Sequence, residues 1–367
     1  MAKKRAKKSS ESGGNARSLR AEIAKLDEQI AGAVGDRAEL VRKLASAGKN
    51  PPGAQAAETK QKGAVGAVDS HAVEAVFREV VASSRSVIEQ RRVAYLGPED
   101  SFSHLTAIAR FGESSDLVPV ATIHAVFEEV ATGGCELGVV PLENSTHGRV
   151  TDTLEAFSQC EVQIVGEAPL RIHHCLLGKG QRAAVKHVYS KPQALSQCSH
   201  WLAEHLPSAD LHATGSTSEA AAIASERSDA AAIASEQAGA RHGLEVMVRN
   251  IEDQKDNVTR FAVIGRETAE KTGDDKTALM LEVAHEPGAL ADVMAIFKRQ
   301  KLNMTWIESF PIPGSRSEKL GGGRYLFFIE FLGHQSELMA RRAIASLEKR
   351  CVRLRVLGSY ARAKVLG

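Results

Sequence analysis

The sequence predicts a multidomain chain of mixed class: a helical N-terminal segment, an open α/β domain, and a smaller α+β unit. Three observations carry this. Apolar residues recur at helical spacing up to about residue 89. Short β-branched strands then alternate with helices as far as about residue 269. Between residues 276 and 363 the elements fall in the order βαββαβ, that of a ferredoxin-like sandwich. The 367 residues suffice for two or three domains of ordinary size.

Residues 1–15 begin MAKKRAKKSS, with five basic residues in the first eight, and are expected to form a disordered basic tail. A Lys-rich run without an apolar stretch does not suit a transit peptide. Residues 16–90 form the helical segment. Ile23, Leu26, Ile30, Val34, Leu40, Val41 and Leu44 place one long helix over 16–47. KNPPGAQAAETKQKGAVGA (49–67) breaks it, and Val73, Val76, Phe77, Val80, Val81 and Val87 mark a second helix over 70–89. This pair is too small to make a core alone, so it should pack on a partner copy or on the next domain.

The α/β domain spans 91–269. RRVAYLGPEDSFS reads as a strand, a Gly-Pro turn and a helix start; ELGVVPLENSTHGRV as a buried strand ending in a polar loop. VQIVGEAPLRIHHCLLG is rich in β-branched and apolar residues, and VYSKPQALSQCSHWL turns from strand to helix. Such alternation predicts a largely parallel sheet, with ligands beyond the carboxyl ends of its strands. AAAIASE occurs twice, at 220–226 and 230–236. The first copy follows STS and reads as a helix; the second reads as a strand ending at Ser235, which caps the next helix. In the last unit KTALMLEVA alternates as a strand, Pro287 opens a helix, and GGGRYLFFIEFLG is a strand reached through a glycine turn.

Composition excludes several classes. With 43% apolar and 25% charged residues the chain is of soluble globular type, and a net charge of +2 gives no field for nucleic acid. No apolar run approaches 18 residues, so no membrane segment is expected and the protein should be cytoplasmic. The five cysteines form no CxxC pair and the histidines no HxxxH or HExxH, so neither a disulfide framework nor a metal is implied.

Hydroxyls and amides collect at the strand-to-helix loops. These are Ser101 and Ser103, then Glu143, Asn144, Ser145 and Thr146, then Ser190 and Gln193, then Ser216 and Thr217, and last Thr259 beside Arg260 in NVTRF. Helix starts and hydroxyls suit anions, and an Arg can hold a carboxylate bidentately. The set fits a small, oxygen-rich polyanion. No GxSxG, P-loop or Cys/His pair is present, so electrostatic positioning with a hydroxyl or carboxyl proton donor fits best. Taken singly each residue has a plainer reading: STSEAA alone is a helix cap, Glu143 a solvated loop carboxylate, Asn257 a turn.

The order GPEDSFSH, VVPLENSTHGRV, VYSKPQALSQC, STSEAA, NVTRF resembles the prephenate dehydratase family. Over roughly residues 18–360 the chain resembles its P-protein type, with an AroQ-like chorismate mutase segment, the dehydratase, and a regulatory ACT domain (276–363). The resemblance implies two α/β lobes like those of periplasmic binding proteins. It also implies a cofactor-free conversion of prephenate to phenylpyruvate in phenylalanine biosynthesis, driven by aromatisation. Thr259 would serve the leaving hydroxyl, with Glu143 in its network. Arg260 would bind a carboxylate or brace the Thr259 loop, and Asn144, Ser145, Gln193, Ser216, Thr217 and Ser101 would line the pocket. PGALAD and IESFPI resemble the family's two phenylalanine-binding motifs. Gly288, Ala289, Leu290, Glu308 and Ser309 would therefore hold phenylalanine as effector, although Phe310 stands where the family has an arginine.

SLRAEIAKLDEQI and GDRAELV resemble the first helix of AroQ-type mutases, and Arg20, Arg37 and Ser84 fall on family positions. The two arginines are about 100° apart on a helical wheel, so one helix cannot aim both at one ligand; the family solves this with an intertwined dimer. Other donors are missing. Gly48 replaces a lysine, no D-x-x-R-E appears at 57–61, and Ile88 replaces a Gln or Glu. The segment therefore reads as an assembly remnant ahead of a working mutase. A homodimer or homotetramer is expected. The other readings are a bifunctional mutase/dehydratase, an arogenate dehydratase, and a non-catalytic amino-acid sensor.

Overall fold

The computed structural model describes residues 2–47, 70–88, 91–311 and 325–366. The 49–67 break, Gly48 and the 57–61 positions lie outside them. The chain divides into two compact units: Met1–Arg91 with Phe111–Asp116, and Arg92–Arg110 with Leu117–Gly367.

In the first unit α1 (Ala2–Ser46) lies beside α2 (Ser70–Ser86). The helix starts at Ala2, so the basic stretch expected to be disordered is helical; Lys, Arg and Ala are all strong helix formers. Val41 and Val81 are buried, whereas Leu19, Ile23, Leu26 and Ile30 form an exposed apolar stripe at i, i+4, i+7 and i+11.

The second unit holds three sheets. Strands β1 (Arg92–Leu96), β2 (Asp116–Val120), β3 (Leu137–Asn144), β5 (Gln163–Arg171) and β11 (Val258–Gly265) order as β2-β1-β3-β11-β5, with β4 (Gly148–Arg149) paired to β3. Helices α3 (Phe102–Phe111), α4 (Ile123–Thr132) and α5 (Thr151–Gln159) connect them. Thr122 caps α4 by accepting from Ala125 N–H, and Phe127 and Phe157 meet edge-to-face at 4.8 Å.

After β5 the chain crosses to a second sheet, ordered β10-β6-β9-β7-β8. It is built from β6 (Cys175–Gly178), β7 (His187–Ser190), β8 (Asp210–Ala213), β9 (Ala230–Ala234) and β10 (Glu245–Val248). Its helices are α6 (Pro192–Gln197), α7 (Ser199–His205), α8 (Thr217–Ser225) and α9 (Glu236–Arg241). The two AAAIASE copies divide between α8 and β9, and Ser235 caps α9. Ala220, Ala221 and Ala224 bury against the all-buried β9, because alanines let helix and strand approach closely. Neither sheet is as parallel as expected. The chain returns from the second sheet as β11, antiparallel to β3 and β5, and β6 runs antiparallel to β9 and β10.

The third sheet is the βαββαβ unit. It comprises β12 (Asp275–Glu282), α10 (Ala289–Arg299), β13 (Met304–Pro311), β14 (Tyr325–Leu332), α11 (Leu338–Glu348) and β15 (Arg353–Ala361), in strand order β13-β14-β12-β15. One face packs on its helices through Leu279, Phe297, Phe331 and Leu347. The other shares a core with the first sheet, where Met280, Phe328 and Leu357 join Val140, Ile164 and Ala262. At Gly358, φ is +147° and an added Cβ would lie 2.1 Å from Ile164 O, so only glycine permits this approach.

Candidate active site

The two crossings between the first and second sheets run side by side. Ile172 N–H donates to Asn257 O at 2.8 Å, and Ile251 N–H to His174 O at 2.9 Å. Buried Glu252 clamps them, facing His173 Nδ1 at 2.7 Å and accepting from His174 N–H at 2.9 Å.

Asn144, at the end of β3, sits opposite Thr259 in register. Its amide orientation follows from its neighbours. Asn144 Oδ1 accepts from the backbone N–H groups of Thr146 and His147, both at 3.1 Å, so Nδ2 must face the other way. Nδ2 donates to Asn257 Oδ1 at 2.9 Å and to Thr259 Oγ1 at 2.8 Å. The chain of donors extends backwards. Thr146 Oγ1 donates to Asn144 Oδ1 at 2.6 Å, and Gln197 Nε2 donates to Thr146 Oγ1 at 2.8 Å. His174 Nε2 lies 2.8 Å from Gln197 Oε1, which makes Nε2 the protonated ring nitrogen. Burial pushes the His174 pKa down, so the ring is neutral. Every hydrogen bond from His174 to Thr259 therefore runs in one direction. Thr259 Oγ1 accepts, and its own O–H is left to donate. Chains of this kind polarise cooperatively and strengthen the last donor.

Several expected residues meet here and others do not. Ser145 latches the adjacent loop, donating to Asp256 O at 3.2 Å and accepting from Val258 N–H at 3.0 Å. Ser101 donates to Leu96 O at 3.1 Å and accepts from His104 N–H at 3.3 Å, capping α3, while neighbouring Phe102 stands edge-on to His174 at 5.5 Å. Ser216 caps α8 through Glu219 N–H at 3.0 Å, and Thr217 is buried in its first turn. Gln193 is half-buried on α6, but it is Gln197, one turn later, that enters the network. Gln197 and His174 were missed: they follow no loop-hydroxyl pattern, and only the crossings bring them to Thr259; Asn257, read as a turn residue, joins the network from two residues ahead of Thr259.

Glu143 does not join the Thr259 network, and of the two roles expected of Arg260, carboxylate binder or brace, its contacts are those of the brace. Successive side chains of a strand point to opposite faces, so Arg260 turns away from Thr259's face, and Glu143 away from Asn144's. Arg260 is paired with Glu143 at 3.0 Å, Glu167 at 3.3 Å and Glu330 at 2.7 Å. Burial disfavours its charge, yet Glu330, Tyr360, Glu167 and Glu143 outweigh that and hold its pKa above the ordinary value. A guanidinium so engaged is a brace and not a free carboxylate binder.

In the C-terminal unit Gly288, at φ +88°, precedes α10, which Ala289 and Leu290 open. Glu308 and Ser309 lie on edge strand β13, and Glu308 pairs with Arg149 at 2.7 Å. Phe310 is buried in the core shared with the first sheet, which accounts for an apolar residue at that position. On α1 Arg20 is exposed, and Arg37 is half-buried with Nη1 lacking a partner and its pKa lowered by burial. Ser84 is buried and bonds Val80 O of its own helix. Among the described residues one group could hold a metal: His187, Asp210 and His212 on β7 and β8, with 3.1 Å between the two imidazoles; it shares no residue with the Thr259 network. No helix of the described residues is long and apolar enough to cross a membrane.

The prephenate dehydratase family profile matches residues 93–269. The bifunctional chorismate mutase/prephenate dehydratase of Stutzerimonas stutzeri is 35% identical over 95% of this chain and 98% of its own. Among solved structures, the prephenate dehydratase of Arthrobacter aurescens, in complex with L-Phe, is 31% identical with a TM-score of 0.67, covering 74% of this chain and 90% of that one. GqqA, described as a novel type of quorum quenching acylase, is 28% identical with a TM-score of 0.66, covering 74% and 98%. The chain thus belongs to the prephenate dehydratase family, in its P-protein type.

Proposed function

We propose that the chain converts prephenate to phenylpyruvate, with Thr259 as the group that serves the departing hydroxyl. The observation that carries this is the one-way chain of donors ending on Thr259 Oγ1. In the reaction the bond from ring to carboxylate breaks and its electron pair enters the ring. The bond from ring to hydroxyl breaks at the other side, and the oxygen leaves with its pair. Carbon dioxide departs, the hydroxide takes up a proton and leaves as water, and no electrons are exchanged with a cofactor. A threonine hydroxyl is a weak acid. Donation from Asn144 makes it a stronger hydrogen-bond donor to developing hydroxide. With Arg260 occupied, the substrate carboxylates fall to the first turns of α3 and α8, at Ser101 and at Ser216–Thr217, where helix N–H groups favour anions.

The C-terminal unit acts as an ACT domain that binds phenylalanine at Gly288–Leu290 and Glu308–Ser309, the reading favoured by the L-Phe complex of the Arthrobacter relative. The Leu19–Ile30 stripe and edge strand β13 would join copies into a homodimer or homotetramer. A mutase site on α1 is the second reading, favoured by the near-full-length match to a bifunctional relative and by the unpartnered Arg37 Nη1. One purified sample given prephenate, arogenate and chorismate in parallel tests the substrate and the mutase reading. Phenylpyruvate from prephenate is the expected result. Phenylalanine from arogenate alone would move the substrate to the amino analogue. Loss of chorismate would establish the bifunctional reading, and no product from any would leave a sensor.

A further inference from the structure

The residue after Thr259 is wired to the C-terminal unit by buried charge. Arg260 contacts Glu143 of β3, Glu167 of β5 and Glu330 of β14. Lys276 of β12 bridges the latter two, at 3.0 Å from Glu167 and 3.4 Å from Glu330. Glu330 is nearly inaccessible. It also accepts from the buried Tyr360 hydroxyl and from Thr305 Oγ1, the latter at 3.0 Å. Glu167 accepts from Ala363 N–H at 3.0 Å. The Trp306 ring lies 6.0 Å from the Arg260 guanidinium. Three carboxylates thus share two cations. Glu330 and Glu167 are buried against an apolar core, so water cannot relieve their charges, whereas Glu143 at the rim is part-exposed.

The position of this cluster gives it a consequence for the reaction. The register of β11 against β3 shifts between Arg260 and Phe261, directly after the Arg260–Glu143 pair and one pair beyond Thr259–Asn144. A bulge re-aims neighbouring side chains and ends regular pairing. Arg260 borders it and is anchored from two strands of its own sheet and one strand of the C-terminal unit. We infer that Glu330, supported by Lys276 and Tyr360, is a positioning residue for the dehydration: through Arg260 it sets the aim of Thr259. This rests on Thr259 being the catalytic hydroxyl, as proposed above.

The test is steady-state kinetics on prephenate with the full chain. Glu330→Gln keeps the volume and removes the charge. The expected result is a fall in kcat of about 10- to 100-fold with KM within about twofold, since misplacement by about 1 Å is enough for such a loss. Glu330→Asp should recover part of kcat. Tyr360→Phe removes a single hydroxyl and should give a smaller fall of the same kind; it decides the matter if Glu330→Gln does not fold. Phe328→Ala loosens the same interface without touching charge and should leave kcat intact in the folded protein. Unchanged kcat in Glu330→Gln, or an equal loss in Phe328→Ala, overturns the inference. A wild type that forms no phenylpyruvate overturns the proposed function instead, and the positioning role with it.

Discussion

Replacing Arg260 with methionine keeps much of the side chain's length and removes its charge, leaving three carboxylates with one cation. Glu330 and Glu167 are 1% and 6% exposed, so solvent cannot stand in for the lost guanidinium. Removing one partner of a buried pair costs about 3–5 kcal/mol. Lys276 stays within 3.4 Å of both carboxylates, which places the cost near the lower bound, about 3 kcal/mol. The loss also depends on pH. In the wild type, burial pushes the Glu330 pKa up, but Arg260 and Lys276 prevail and hold it below the ordinary carboxylate value. Its contribution is present above the unfolded value of about 4.3 and is lost as pH falls through the lower folded value. Without Arg260 the largest influence lowering it is gone, and burial is expected to raise the folded pKa above the unfolded one against Lys276 and Tyr360. The penalty is then full at neutral pH and is relieved as pH falls through the raised value.

The gap between variant and wild type should therefore be largest at pH 7–8 and shrink below about pH 5. Trp306, beside Arg260, is the natural reporter. The chain has only two tryptophans, so a Trp201→Phe background isolates its fluorescence during urea unfolding. Equal midpoints at both pH values would refute the reasoning, and so would a gap that widens on acidification.

Two further substitutions probe other links. Asn144→Asp exchanges the donor to Thr259 for an acceptor, so the Thr259 proton is drawn back to residue 144; prephenate turnover should drop at least about a hundredfold, read as kcat in a protein of unchanged circular dichroism. Gly358→Ala places a Cβ 2.1 Å from Ile164 O at φ +147°; it should lower stability by at least about 1–3 kcal/mol, read as a lower thermal midpoint, with the proline-free backbone around it otherwise intact.

Local signals carried much of this fold. The alternation of KTALMLEVA and the helix after Pro287 are local patterns, and so is the split of AAAIASE between helix and strand, decided by the caps Ser216 and Ser235. Loop hydroxyls pointed to Asn144 and Thr259 correctly as neighbours in space. The faces of β11 were legible as well but were misread: period-two alternation already separates Thr259 from Arg260, and Asn144 from Glu143. What no local pattern contains is the pairing of distant segments. Gln197 and His174 reach Thr259 only because the chain crosses twice between sheets. Glu330 reaches Arg260 only because two sheets stack face to face. The antiparallel course of β11 has the same origin, being set by where the chain returns.

The central claim is that the Thr259 hydroxyl serves the leaving group. The most direct measurement is phenylpyruvate formation from prephenate by Thr259→Val and Thr259→Ser. Valine matches the shape of threonine but has no hydroxyl, and it also strands one Asn144 N–H. The account requires kcat to fall by about 10²- to 10⁴-fold in the valine variant, with substantial recovery in the serine variant. Near-normal turnover by a folded Thr259→Val enzyme would contradict it.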